Sequence, residues 1–181
     1  GDYVHSHNLR IVDYYRDPAF GADVRPVDYV PEAQRASFQG FVRAGGGVGT
    51  RNFIGILSSV NCSATVIKRI AAHFTPERLA AYPNVDGVAA FAQTSGCGMS
   101  SPSEHFDVLR RTLAGYARHA NFAAIVNIGL GCEVNQLTLY KRTEWTEERI
   151  GIFNIQDVGG SSSAVRRAMA LLEPICAASN A

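Results

Sequence analysis

The stretch Asn52-Phe53-Ile54-Gly55-Ile56-Leu57-Ser58-Ser59-Val60, followed at once by Asn61-Cys62-Ser63-Ala64, decides the fold. It is apolar almost without a break, which suits a strand covered on both faces rather than one with a wet side. Three later runs read the same way: 85–92 (VDGVAAFA), 122–128 (FAAIVNI) and 150–155 (IGIFNI). Between them the period changes to that of helices. Residues 63–74 place Val66, Ile67, Ile70, Ala71 and Phe74 on one face, and 102–119 place Phe106, Leu109, Leu113 and Tyr116 at the same kind of spacing. Ser101-Pro102-Ser103-Glu104 reads as the start of the second helix, with Ser101 as N-cap, Pro102 at N1 and Glu104 closing a capping box. A last helix over 161–178 carries Val165, Ala168, Met169, Leu172 and Ile175, and Pro174 predicts a kink or an early end. Strands alternating with helices imply βαβ units: an α/β, Rossmann-like, mainly parallel sheet of about four strands flanked by helices.

Residues 1–37 read differently. Pro18, Pro26 and Pro31 interrupt a stretch of Tyr and Asp without sustained period, which predicts an N-terminal strand remnant and an extended linker ahead of an α/β domain over 38–181. The 181 residues carry 17 Lys+Arg against 16 Asp+Glu, a net charge of +1, so neither nucleic acid nor a membrane surface is the expected partner. With 46% hydrophobic and 18% charged residues there is material for one sizeable core. No apolar run approaches the ~18 residues of a membrane span, and the first ten residues carry His and Asp where a signal peptide would be apolar, so a soluble cytoplasmic chain is expected. The four cysteines form no C-x-x-C pair, which fits reduced thiols.

Cys62, Cys97 and Cys132 stand 35 residues apart and then 35 again, each directly after an apolar run (SSVNCSA, QTSGCGM, IGLGCEV). Repetition of a βα unit accounts for the spacing. In an open parallel sheet ligands bind beyond the carboxyl ends of the strands, where all three thiols are expected. A helix N-terminus next to each would lower its pKa, and three converging thiolates could hold iron, zinc or an iron–sulfur cluster. Core packing is the competing reading, and for Cys176, beside Ile175 on a helix, it is preferred. His5 and His7 share one side of a strand, so they either grip one cation or sit in solvent. The run Gly45-Gly46-Gly47-Val48-Gly49 precedes a strand instead of following one and lacks Gly-Lys-Ser/Thr, so it is not a phosphate loop. It reads as a flexible loop placing Arg51 and Asn52 for anion recognition.

Taken together, Gly1-Asp2-Tyr3-Val4-His5-Ser6-His7-Asn8, Gly40-Phe41-Val42-Arg43, Gly49-Thr50-Arg51-Asn52, Val60-Asn61-Cys62-Ser63, Tyr82-Pro83-Asn84-Val85-Asp86-Gly87, Gly96-Cys97-Gly98, Leu113-Ala114-Gly115-Tyr116, Gly129-Leu130-Gly131-Cys132-Glu133, and Ile155-Gln156 with Gly159-Gly160 resemble the altronate and galactarate dehydratases. These are sugar-acid hydro-lyases that use a divalent metal, typically iron. The chain departs from the pattern at Gln93, where the family usually has histidine, and at Gly45-Gly46-Gly47, where it usually has Asp-Gly-Arg. The resemblance implies the central domain of a longer enzyme, with further domains as partners and a homo-oligomer left open. The implied reaction is loss of water from an aldarate or aldonate to give a 2-keto-3-deoxy acid. On this reading His5, His7, Cys62, Cys97 and Cys132 are the metal candidates, with iron(II) or an iron–sulfur cluster as cofactor. Arg51, Asn52, Asn61 and Gln136 are the substrate-binding candidates, and the general base is unassigned. A non-catalytic ligand-binding or assembly domain derived from the family is the alternative, and a nucleotide-binding oxidoreductase fits the fold but lacks the fingerprint.

Overall fold

A computed structural model describes residues 24–139 and 150–180. They divide into two units between Ser37 and Phe38. In the first, the described residues are extended around one 3-10 turn, Glu32–Gln34, where Arg35 Nε donates to Val30 O at 3.1 Å. The expected N-terminal strand remnant lies outside the described residues.

The second unit begins with a short antiparallel hairpin, β1 (Phe41–Val42) and β2 (Val48–Gly49), whose turn holds the glycine run. Four parallel strands follow: β3 (Phe53–Ser58), β4 (Gly87–Phe91), β5 (Phe122–Gly129) and β6 (Ile150–Asn154), in the order β4-β3-β5-β6. The helices are α1 (Ala64–Ala71), the single turn α2 (Pro76–Leu79), α3 (Glu104–Arg118) and α4 (Ser161–Ser179). Among the described residues no helix is long and apolar enough to cross a membrane.

Alternation along the strands divides the core in two. Ile54 and Ile56 of β3, with Val126 and Ile128 of β5, meet Val66, Ile67 and Ile70 of α1 and the stripe Ala164, Ala168, Leu172 and Cys176 of α4. Leu57 and Ile125 face the other way, toward Leu113 and Ala117 of α3, Phe122 and Leu137. This two-sided burial explains why the strands are continuously apolar in sequence.

Two local expectations are corrected. The N-cap of α3 is Ser103, not Ser101: its side chain accepts from Phe106 N at 3.2 Å, so the helix starts at Glu104. Pro174 does not end α4, which continues to Ser179. Cys176 beyond the proline is fully buried, and the last turn is tied down from outside. Asn52 Nδ2 donates to Ser179 O at 2.8 Å, and Asn84 bonds Asn180 twice, through its backbone N to Oδ1 and through Nδ2 to the carbonyl, both at 2.8 Å. These partners satisfy groups that a helix end leaves unpaired.

Candidate functional site at the carboxyl edge of the sheet

From β3 the chain passes first to β4 on one side and then to β5 on the other. The topological switch point of this sheet therefore lies beyond the carboxyl ends of β3 and β5. A buried carboxylate stands there. Glu133 is 2% exposed; its Oε1 accepts from Ser59 Oγ at 2.6 Å and Leu130 N at 3.1 Å, and its Oε2 from Gly131 N at 2.6 Å. Ser59 O in turn accepts from Asn135 Nδ2 at 2.9 Å and Gln93 Nε2 at 2.7 Å. One polar cluster thus fastens together the loops after β3, β4 and β5. Hydrogen bonds to a charged acceptor contribute roughly 1.5–3 kcal/mol each, enough for three donors to offset much of the cost of burying the carboxylate.

The β3 and β4 loops are joined further by Asn61 N donating to Ser95 O at 2.9 Å. Gly96 permits this approach, since its φ is +98° and a Cβ there would lie 2.7 Å from Ser59 O. The result is a hollow of about 360 Å³ whose lining includes Asn61, Cys62, Thr94, Cys97 and Met99. Cys62 and Cys97 are both exposed, and the two thiols lie near enough to influence each other. The charge of Cys62, and then hydrogen bonding to it, push the Cys97 thiol above its usual range. For Cys97 this corrects the expected lowering by a helix dipole, since the next helix begins seven residues on.

The predicted site residues thus fall into separate groups. Cys62, Cys97 and Asn61 share the hollow. Cys132 is at the same edge, but its exposed Sγ accepts from Gln156 Nε2 at 3.6 Å, and it does not line that hollow. Gln136 donates to Glu133 O at 2.6 Å and Gly131 O at 3.2 Å, so its amide braces its own loop. Arg51 and Asn52 precede β3 and lie at the opposite edge. Asn52 is 1% exposed, its Nδ2 donating to Asn84 O and Ser179 O and its Oδ1 accepting from Arg43 Nη2, all at 2.8 Å. A hollow of about 520 Å³ lies beside it, lined mainly by scaffold residues of the hairpin, β5 and α4. One site uniting Arg51 and Asn52 with the thiols is therefore not what the fold builds. His5 and His7 lie outside the described residues, and Cys176 is in the core.

Ser59, Gln93 and Glu133 organise the site without having been predicted for it. A glutamate two residues beyond a glycine at a strand end (Gly131-Cys132-Glu133) was the available signal, because the turn presents backbone N–H groups to an acid placed there. Among the described residues no three of His, Cys, Asp and Glu converge as a metal site. The adjoining Cys62 and Cys97 thiols have the donor chemistry of a borderline or soft cation, but two ligands are fewer than the four usual for zinc or an iron–sulfur iron.

Residues 40–180, nearly the whole second unit, match the family model described as D-galactarate dehydratase/altronate hydrolase, second domain. The chain belongs to that family. It is 35% identical over 148 residues to an altronate dehydratase of Escherichia coli (strain K12), a match covering 79% of this chain and 28% of the relative. An altronate dehydratase of Bacillus subtilis (strain 168) is 28% identical over 146 residues, covering 78% of this chain and 28% of the relative. The chain thus matches little more than a quarter of the length of these curated relatives. No solved structure matches it. The matched region holds all three strand-end cysteines and the Ser59–Glu133 cluster, so the site described above is part of the family's second domain.

Proposed function

We propose that this second domain serves a metal-dependent sugar-acid dehydratase, which removes water from an aldonate or aldarate to give a 2-keto-3-deoxy acid. The observation that carries the reading is the match to altronate dehydratases across a unit whose carboxyl-edge loops gather thiols, amides and a buried carboxylate around an open hollow. In such an elimination a base takes the proton α to the carboxylate, hydroxide leaves the adjacent carbon, and the enol tautomerises to the ketone. Bound iron(II) would act as a Lewis acid on the substrate's oxygens. In this chain Cys62 and Cys97 would supply two of its ligands, with Cys132, His5 and His7 as further candidates. The exposed Asn61 side chain offers a donor and an acceptor to substrate hydroxyls at the rim. Ser59, Gln93 and Glu133 hold the loops that carry these groups. The base and the rest of the substrate site are assigned to the remaining domains of the enzyme.

A chimera in which residues 40–180 replace the matching segment of the Escherichia coli relative tests this. Under anaerobic conditions with ferrous ion, altronate should yield a 2-keto acid. Cys62→Ser or Cys97→Ser should lower both bound iron and turnover by at least the ~10–100-fold typical of changes one shell further out. Unchanged iron content and rate in both variants would remove the thiols from the mechanism. A chimera that folds, binds altronate and forms no product would favour the non-catalytic reading.

A further inference from the structure

Cys62 and Cys97 line one open hollow, and the chain holds them there in different ways. Cys62 stands on the 3-10 turn Asn61–Ser63, and the buried Ser63 behind it donates from Oγ to Ile128 O at 2.7 Å. That turn is fixed to the sheet. Cys97 lies in the irregular connection between Phe91, the end of β4, and Glu104, the start of α3. Its carbonyl accepts from Val134 N at 3.3 Å, but its side chain is exposed, and a Cβ on the next residue, Gly98, would meet nothing within 4 Å. The two segments touch right beside the thiols. Asn61 N donates to Ser95 O at 2.9 Å, and a Cβ on Gly96 would come within 3.2 Å of Val60 Cα. A disulfide needs Cα atoms about 4.4–6.8 Å apart, and a loosely packed loop set against a fixed turn adjusts to that more readily than two packed strands would. The influence of Cys62 on the Cys97 thiol, by charge and by hydrogen bonding, fits two sulfurs that are neighbours. The other cysteines are placed elsewhere: Cys132 faces Gln156 outside the hollow, and Cys176 is fully buried in the core.

We propose that Cys62 and Cys97 form a reversible dithiol–disulfide pair that a low-molecular-weight disulfide oxidises. One protein thiolate attacks a sulfur of the small disulfide, giving a mixed disulfide and one small thiolate. The other protein thiolate then attacks the protein sulfur of the mixed disulfide, which closes the Cys62–Cys97 bond and expels the second small thiolate. Two protein thiols are oxidised, the small disulfide is reduced to two thiols, and the two protons pass from the protein to them. An excess of small thiol runs both steps backwards. Because the thiolate and not the disulfide is the metal ligand, closure withdraws both sulfurs from coordination. That consequence rests on the function proposed above: in an iron-dependent dehydratase the bond would disarm this domain under oxidising conditions.

The test treats the native, metal-free 181-residue chain with oxidised glutathione, quenches and digests it in acid, and reads the peptides by mass spectrometry. The Cys62 and Cys97 peptides should be linked, reduced glutathione should release them, and Cys176 should remain a thiol. A neighbouring thiol has an effective concentration on the order of millimolar, so with glutathione held at about 0.1 mM the unaltered chain should carry roughly tenfold less glutathione on Cys97 than Cys62→Ser does. Cys132→Ser should leave the linkage as it is. Glutathione retained on both Cys62 and Cys97 without a link, or a link from either to Cys132 in equal yield, would overturn the proposal. Repeating the oxidation after ferrous ion is added anaerobically separates this proposal from the iron reading. A link that forms equally fast with the metal present supports the pair and removes its thiols from the iron site, whereas no link in the metal-free chain overturns the pair and leaves iron ligation standing.

Discussion

Replacing Asn52 with alanine separates a ligand-binding role for this residue from a structural one. The side chain makes three hydrogen bonds, two as donor to the carbonyls of Asn84 and Ser179 and one as acceptor from the Arg43 guanidinium. Neutral bonds contribute about 1 kcal/mol each and a charge-assisted one about 1.5–3, so the loss should be roughly 4 kcal/mol. That corresponds to a fall in Tm of about 8–16 °C at ~2–4 °C per kcal/mol for a chain of this size. Asn52→Asp should be no milder. It keeps the acceptor for Arg43 but sets a carboxylate oxygen against two carbonyls where donors stood. Urea unfolding followed by far-UV circular dichroism measures the loss. Alkylation of Cys62 and Cys97 in the native variants, well below the midpoint, should be unchanged, because those thiols are at the other edge of the sheet. A cost below about 1 kcal/mol for Asn52→Ala would refute the accounting, and an altered thiol labelling pattern at undiminished stability would refute the separation of the two edges.

Two further outcomes concern the thiols. Because the charge of Cys62 and its hydrogen bond raise the Cys97 pKa, Cys62→Ser should return Cys97 toward the ordinary value, and iodoacetamide should label it faster at pH 8, as read by mass spectrometry. Burial pushes the Cys176 thiol up to about 11, so it should resist labelling until the chain unfolds. Since that folded-state pKa exceeds the unfolded one, its contribution to stability is intact below pH ~9 and is lost as pH rises toward 11; Cys176→Ala should flatten the alkaline limb of a stability-against-pH curve.

The parallel sheet was legible because its strands are covered on both faces: 52–60 and 122–128 are apolar without alternation since Ile54 and Leu57, or Val126 and Ile125, face different layers of core. The spacing of the cysteines was likewise enough to put all three thiols at one edge, because successive parallel strands end on the same side. Convergence is a different matter. It depends on which strands are neighbours and on what each loop is bonded to, and neither is local. Cys97 reaches Cys62 because Gly96 packs on Ser59 O, while Cys132 is drawn to Gln156. Asn52 shows the same limit more sharply. A polar residue after a glycine loop invites a ligand, yet one of its partners, Ser179, is 127 residues away in sequence.

The position of Glu133 explains why the edge holds together at all. Parallel strands end with their last carbonyls unpaired, and the loops that follow must leave the sheet at a point where it offers no further ladder. Here the loop after β5 turns back at Gly131, exposing the N–H groups of Leu130 and Gly131, and the carboxylate of Glu133 takes both. The same oxygen that accepts from Leu130 also accepts from Ser59, so the loop after β3 cannot move independently of the loop after β5. Ser59 O then draws in Gln93 from the β4 loop, and with it the backbone that carries Cys97. A carboxylate suits this role better than an amide would. A Glu133→Gln side chain has one oxygen for three converging donors, and its own NH₂ group would be forced against at least one of them. Loss of the cluster should therefore loosen the thiol pair before it unfolds the core. In Glu133→Gln the Cys97 pKa should fall, as its distance from Cys62 grows and because the charge of Glu133 itself helps to raise it, while the α1 and α4 layer, which contains none of these groups, should keep Cys176 protected.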